Sequence, residues 1–141
     1  MGIRGIVLKL VGWLKSNQRG QSVVEFSLTM PFFLVIGLGS ADVARATYSY
    51  IVITNAAASG ALYGSLNSSN ASNTSGIQSA TLANTQTLGG SSPTTSSQVT
   101  TDSGGYQAVS VTVSFSMTTA GWPGVPNPLA IIKTTTMRVM R

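Results

Sequence analysis

RGQSVVEFSLTMPFFLVIGLGS, Arg19 to Ser40, is an almost unbroken apolar run that holds one carboxylate, Glu25, in a chain of 141 residues with only three. From Val23 to Ala41 there are 19 residues with that single charge. As a helix rising about 1.5 Å per residue they extend about 28 Å, close to the roughly 30 Å of a bilayer's hydrocarbon core. The core helix of a soluble domain can have the same composition, but a chain this short could hardly surround so many apolar side chains. A single membrane span over residues 21–41 is therefore expected. Pro31 lies inside it and frees the carbonyl of Ser27, so a kink or a locally open turn is expected there.

The charges outside this run are lopsided. Arg4, Lys9, Lys15 and Arg19 are half of the eight basic residues and all precede Gly20. From Gln21 onward, Arg45, Lys133, Arg138 and Arg141 stand against Glu25, Asp42 and Asp102, a balance of +1. The net charge of +5 thus belongs to the N-terminal segment, and the remainder has no basic stripe of the kind a nucleic-acid surface requires. Positive charge before the span, with Arg45 alone for a long way after it, orients the N-terminus toward the cytoplasm. Residues 1–20 also space Ile3, Ile6, Val7, Leu10, Val11 and Leu14 as a helix would. Two readings follow, an amphipathic helix at an anionic surface or a basic leader peptide.

Cysteine and histidine are both absent. Without them there is no disulfide framework, no thiolate or imidazole metal site and no usual base for an acyl-transfer triad. A hydrolase would have to draw on Lys133 or Asp102 and one of many hydroxyls, with no G-x-S-x-G motif to recommend them. The chain is expected to be neither an enzyme nor the host of a cofactor or metal.

Beyond the span, helical character continues through DVARATYSYIVITNAAASGALYGSL, residues 42–66. Asp42 and Arg45, three apart, can pair on one face. Ala56–Ala58 with Gly60 and Gly64 form a face of almost no side-chain height, which a neighbouring helix or the protein's own sheet could approach closely. Residues 67–98 are rich in Ser, Thr and Asn, with one short helix expected near Gly76–Leu88 and N-x-S/T triplets at Asn67, Asn70 and Asn73.

The last part reads as sheet. In YQAVSVTVSFSM, Val109, Val111, Val113, Phe115 and Met117 alternate with Ser110, Thr112, Ser114 and Ser116, as on a half-buried strand. SSQVTT precedes it across a loop of Asp102–Gly105, and Ile131–Met140 gives a third strand after the proline-punctuated GWPGVPNP. Three strands with one apolar face need a cover, and the outer part of the long helix is the one amphipathic element at hand. The expected fold is α+β, a long N-terminal helix packed on a small antiparallel sheet, with residues 67–141 forming the Ser/Thr-rich region and the small β domain.

Glu25 near the end of a span costs a few kcal/mol on insertion scales. If a leader were cut after Gly20, Gln21 would start the chain and Glu25 would lie one helical turn from a free amine. It would then sit in a first turn whose dipole favours an anion, able to pair with an ammonium of its own or of a neighbouring chain. The alternative is that it snorkels to lipid headgroups. Gln21 adds one more expectation, because an N-terminal glutamine can cyclise and so remove that amine.

A basic segment ending in glycine, a glutamate five places later and a long apolar helix resemble the class III signal peptides of type IV pilin-like proteins. More specifically, Arg19 to about Leu66 resembles the TadE-like family, pseudopilins or minor pilins of tight-adherence (Flp) pilus systems, in Glu25–Phe26, Pro31, Asp42 and the NAAASGALY run. The resemblance implies a pilin-like fold and cleavage by a prepilin peptidase between Gly20 and Gln21. It also implies subunit assembly that depends on Glu25, with Phe26 beside it as a further candidate, while the low face at Gly60 and Gly64 is the candidate for helix packing. Its implied partners are the lipid bilayer, the peptidase, other pilin-like subunits and the pilus assembly platform. The implied place is the bacterial cytoplasmic membrane, single-pass with the C-terminal domain outside, or a surface pilus. The competing expectation is a membrane-anchored extracytoplasmic binding module, for which Glu25 would be dispensable.

Overall fold

The computed structural model describes residues 20–121 and 124–140. The leader assigned to residues 1–20 lies outside them, Gly20 excepted. The chain divides into two units, residues 1–41 and 42–141. One 45-residue helix, α1 (Gln21–Ser65), supplies the described part of the first unit and the opening of the second.

In the first unit α1 runs unbroken through Pro31, so of the kink or locally open turn expected there the open turn is absent. Proline removes one backbone bond, and the intact turns on either side hold the helix. The apolar side chains from Val23 to Leu38 are all exposed, with Phe32 and Phe33 near 70 %. So long an uncovered apolar surface fits a helix that can cross a membrane.

The second unit is helix on sheet. From Ser49 to Ser65, α1 buries Ser49, Val52, Ile53, Ala56, Ala57, Gly60, Ala61, Gly64 and Ser65. The recurrence at three and four residues is one helical face. Two short helices follow, α2 (Ser68–Ser72) and α3 (Thr74–Leu82). α3 is the short helix expected near Gly76–Leu88, begun two residues earlier and ended at Leu82, and α2 is an addition to it. Asn67 caps α2 by accepting from the Asn70 amide at 2.8 Å, and Asn73 caps α3 by accepting from the Gly76 amide at 3.0 Å. Asparagine is a favoured N-cap because its side-chain oxygen satisfies an otherwise orphaned amide. Two of the three N-x-S/T asparagines are thus helix starts, and the third, Asn70, donates to the Tyr63 carbonyl at 3.2 Å.

The sheet runs β1 (Thr94–Thr101), β2 (Gln107–Met117) and β3 (Leu129–Arg138), antiparallel, with β2 in the centre. Val111 pairs with Ser97 on one side and Thr135 on the other. Val109, Val111, Val113, Phe115 and Met117 are buried as the alternation requires. They meet Ile53, Ala57 and Ala61 of α1 and Ile77 of α3 in one core. β1 begins two residues before SSQVTT, and β3 is Leu129–Arg138 where Ile131–Met140 was expected. The opposite face of the sheet carries hydroxyls, and Thr112 and Thr134 join across β2 and β3 at 2.8 Å.

Candidate functional site: the two ends of the long helix

The site residues named from the sequence fall into two groups, one in each unit. In the first unit, Gly20 leads directly into the first residue of α1, Gln21. The Gln21 side-chain amide donates to Glu25 Oε1 at 3.1 Å, one turn along. Glu25 is exposed, and its backbone carbonyl accepts from the Thr29 hydroxyl while Ser27 donates to the Val23 carbonyl at 2.7 Å. Hydroxyls folded back onto the preceding turn in this way present little free polarity to an apolar surrounding. Phe26 is 63 % exposed beside Glu25 in the chain. The arrangement is one acid in the first turns of a helix, with an amide donor one turn before it. Among the described residues no cluster of acids offers a cradle for a metal ion.

In the second unit the helix is pressed onto its own domain. A methyl group built on Gly60 would run into the Thr81 hydroxyl and come within 3.3 Å of Val111 Cγ1. One built on Gly64 would stand 3.0 Å from Val109 Cγ1 and 3.2 Å from Ile77 Cδ1. Of the two occupants the sequence left open for this low face, the protein's own sheet is found there, together with α3, which the sequence did not indicate. Glycine is needed at these positions for close approach.

At the start of this unit, Asp42 does more than pair with Arg45. Its Oδ1 lies 3.5 Å from Arg45 Nη1, and its Oδ2 accepts from the Ala120 backbone amide at 2.7 Å. That second bond ties the β2–β3 connection to α1, and nothing in the local sequence signals it. Further along, Lys133 of β3 donates to Tyr50 Oη at 3.2 Å. At the β1–β2 hairpin, Arg138 bridges to Asp102 and stacks on Tyr106 with 4.3 Å to the ring centroid. Asp102 accepts from the Gly104 amide, from Arg138 and from Ser103, and these bonds, Gly104's first, hold its carboxyl down at about 2. An anion held by three donors and facing solvent is a hairpin staple, not a catalytic acid.

No curated protein and no solved structure gives a significant match to the chain. Residues 20–62, which hold Gly20, Gln21, Glu25, Phe26, Pro31, Asp42 and Gly60, match the family model described as TadE-like protein.

Proposed function

We propose that this chain is a pilin-like structural or assembly subunit of a tight-adherence pilus or a related secretion system. The observation that carries the reading is the coincidence of the TadE-like match at residues 20–62 with a helix of two characters. Up to Ala41 its apolar surface is wholly uncovered, and beyond Asp42 it is the backbone of a folded domain. In this reading residues 21–41 span the cytoplasmic membrane with the N-terminus inside, and residues 42–141 lie outside. A prepilin peptidase removes residues 1–20 by cutting between Gly20 and Gln21. Gly20 has open space around its α-carbon, as a cut site needs. Glu25 then pairs with the new amine of its own or a neighbouring chain and sets the stagger between subunits, with Phe26 beside it at the subunit contact. Charge pairing inside lipid is strong because an unpaired carboxylate there is costly. The chain itself carries out no catalysis and is a substrate of the peptidase.

The test is N-terminal sequencing and intact-mass analysis of the chain from cells with and without the peptidase. Expected is a start at Gln21 only where the peptidase is present. Exported material that retains Met1 would overturn the reading. Full function of Glu25→Ala after correct processing would favour a membrane-anchored binding module.

A further inference from the structure

Gln21 and Glu25 lie four residues apart at the start of α1, on one face of the helix and separated by about 6 Å along its axis. Their side chains close that gap, with Gln21 Nε2 donating to Glu25 Oε1 at 3.1 Å. A carboxylate only accepts, so the amide turns its nitrogen toward residue 25. Both residues are exposed, and among the described residues Glu25 is the one hydrogen-bond partner of the Gln21 amide. A side chain that reaches forward in this way leads away from its own backbone nitrogen.

That direction has a chemical consequence once Gln21 begins the chain. The free α-amine of a glutamine attacks Cδ of its own side chain. A bond from the α-nitrogen to Cδ closes a lactam, the Cδ–Nε2 bond breaks, and ammonia leaves with a proton taken from the amine. No co-reactant is needed. The product carries a neutral lactam N–H where the chain start had a cation, so it offers the Glu25 of a neighbouring chain no ion pair. Ring closure requires the side chain to fold back until Cδ meets the α-nitrogen, and an amide bound to Glu25 is held out of that conformation.

We infer that Glu25 guards Gln21 against cyclisation: by holding the side-chain amide forward along α1, it preserves the amine with which subunits pair. The inference rests on the reading that a peptidase cuts between Gly20 and Gln21. One carboxylate serves both tasks, because the amide engages Oε1 and leaves Oε2 for an ammonium. Polar pairs at this spacing, strengthened where the acceptor is charged, shift a side-chain equilibrium about two- to threefold.

The test uses the full chain and its Glu25→Ala and Glu25→Gln variants, processed in cells that hold the peptidase, purified in detergent and incubated at neutral pH. Intact mass reads the loss of one ammonia over time, and tandem mass spectrometry of the N-terminal peptide places it at Gln21. Glu25→Ala is expected to cyclise about two- to threefold faster than the unaltered chain. Glu25→Gln keeps an acceptor oxygen and is expected to cyclise at nearly the unaltered rate. Equal rates in all three chains, or a slower Glu25→Ala, overturn the inference and leave the cleavage reading standing. So does a Glu25→Gln as fast as Glu25→Ala, since charge on the amine, and not the held amide, would then be the protection. An unaltered chain that still begins at Met1 in these cells overturns both.

Discussion

Gly60 of α1 and Thr81 of α3 face each other with no room for a single methyl group between them. Thr81 is fully buried, and its hydroxyl donates to the Ile77 carbonyl at 2.8 Å, so it cannot simply swing aside into solvent. The contact joins the flattest part of the helix to the element that closes the core from above the sheet.

Gly60→Ala is expected to destabilise the folded domain by about 1–3 kcal/mol, the usual scale of overpacking, less the ~1 kcal/mol that alanine gains over glycine in a helix. Gly64→Ala meets only the tips of Val109 and Ile77, at 3.0 and 3.2 Å, and is expected to be milder. Chemical denaturation of the full chain in detergent, followed by the loss of sheet signal, measures both. Thr81→Ala should recover part of the Gly60→Ala loss, because it removes the atom that is struck. Simple additivity of the two substitutions would show that the clash is not the cause.

The hairpin gives a pH dependence of known sign. Asp102 is held from 3.8 down to about 2, first by the Gly104 amide and then by Arg138 and Ser103. A depressed carboxyl contributes stability that is fully present above its unfolded value and is lost as the pH falls through its folded value. The domain is therefore expected to lose stability between pH 3.8 and about 2. Asp102→Asn should flatten that part of the profile while lowering stability at neutral pH. Thermal melts of the two chains across this range decide it, and identical slopes would remove Asp102 as the titrating group.

Much of this architecture is legible in the residues themselves. The alternation from Val109 to Met117 names the buried face of β2, and the uncharged apolar run names the first half of α1. β1 is harder, because Thr94–Ser97 has no apolar residue and its strand state comes from pairing with β2. The turn from α1 into α2 and α3 is hidden for a different reason. Asn67 and Asn73 stand in N-x-S/T triplets that arise by chance in so Ser/Thr/Asn-rich a segment, and their capping role shows only in the bonds to the neighbouring amides. At the candidate site, Gly60 and Gly64 signal a close approach but not by what, since the occupant lies on α3 and β2. The Asp42–Ala120 bond joins residues 78 apart, beyond any local pattern.

That long-range bond has its own consequence. Asp42→Ala removes the acceptor of the Ala120 amide and the partner of Arg45 while leaving the core untouched. A solvent-accessible hydrogen bond contributes about 1 kcal/mol or less to global stability. Amide hydrogen exchange should therefore speed up at Ala120, with the unfolding midpoint nearly unchanged. Unaltered protection at Ala120 would mean that other contacts hold the loop.

Glu25 separates charge from hydrogen bonding. Its side chain accepts from the Gln21 amide and its backbone carbonyl from the Thr29 hydroxyl, and it has no part in the core of the second unit. Glu25→Ala and Glu25→Gln should both leave that core folded. If subunits register by pairing this carboxylate with the amine exposed by cleavage, both variants are expected to be processed at Gly20 and to fail in assembly. The neutral amide cannot answer an ammonium in lipid as a carboxylate does. If the residue serves only to accept from Gln21, Glu25→Gln keeps an acceptor oxygen and should assemble while Glu25→Ala does not. Sheared surface fractions and membrane fractions, probed for the processed chain, measure each outcome. Assembly of Glu25→Gln at the level of the unaltered chain would rule out charge as the organising property of this helix end.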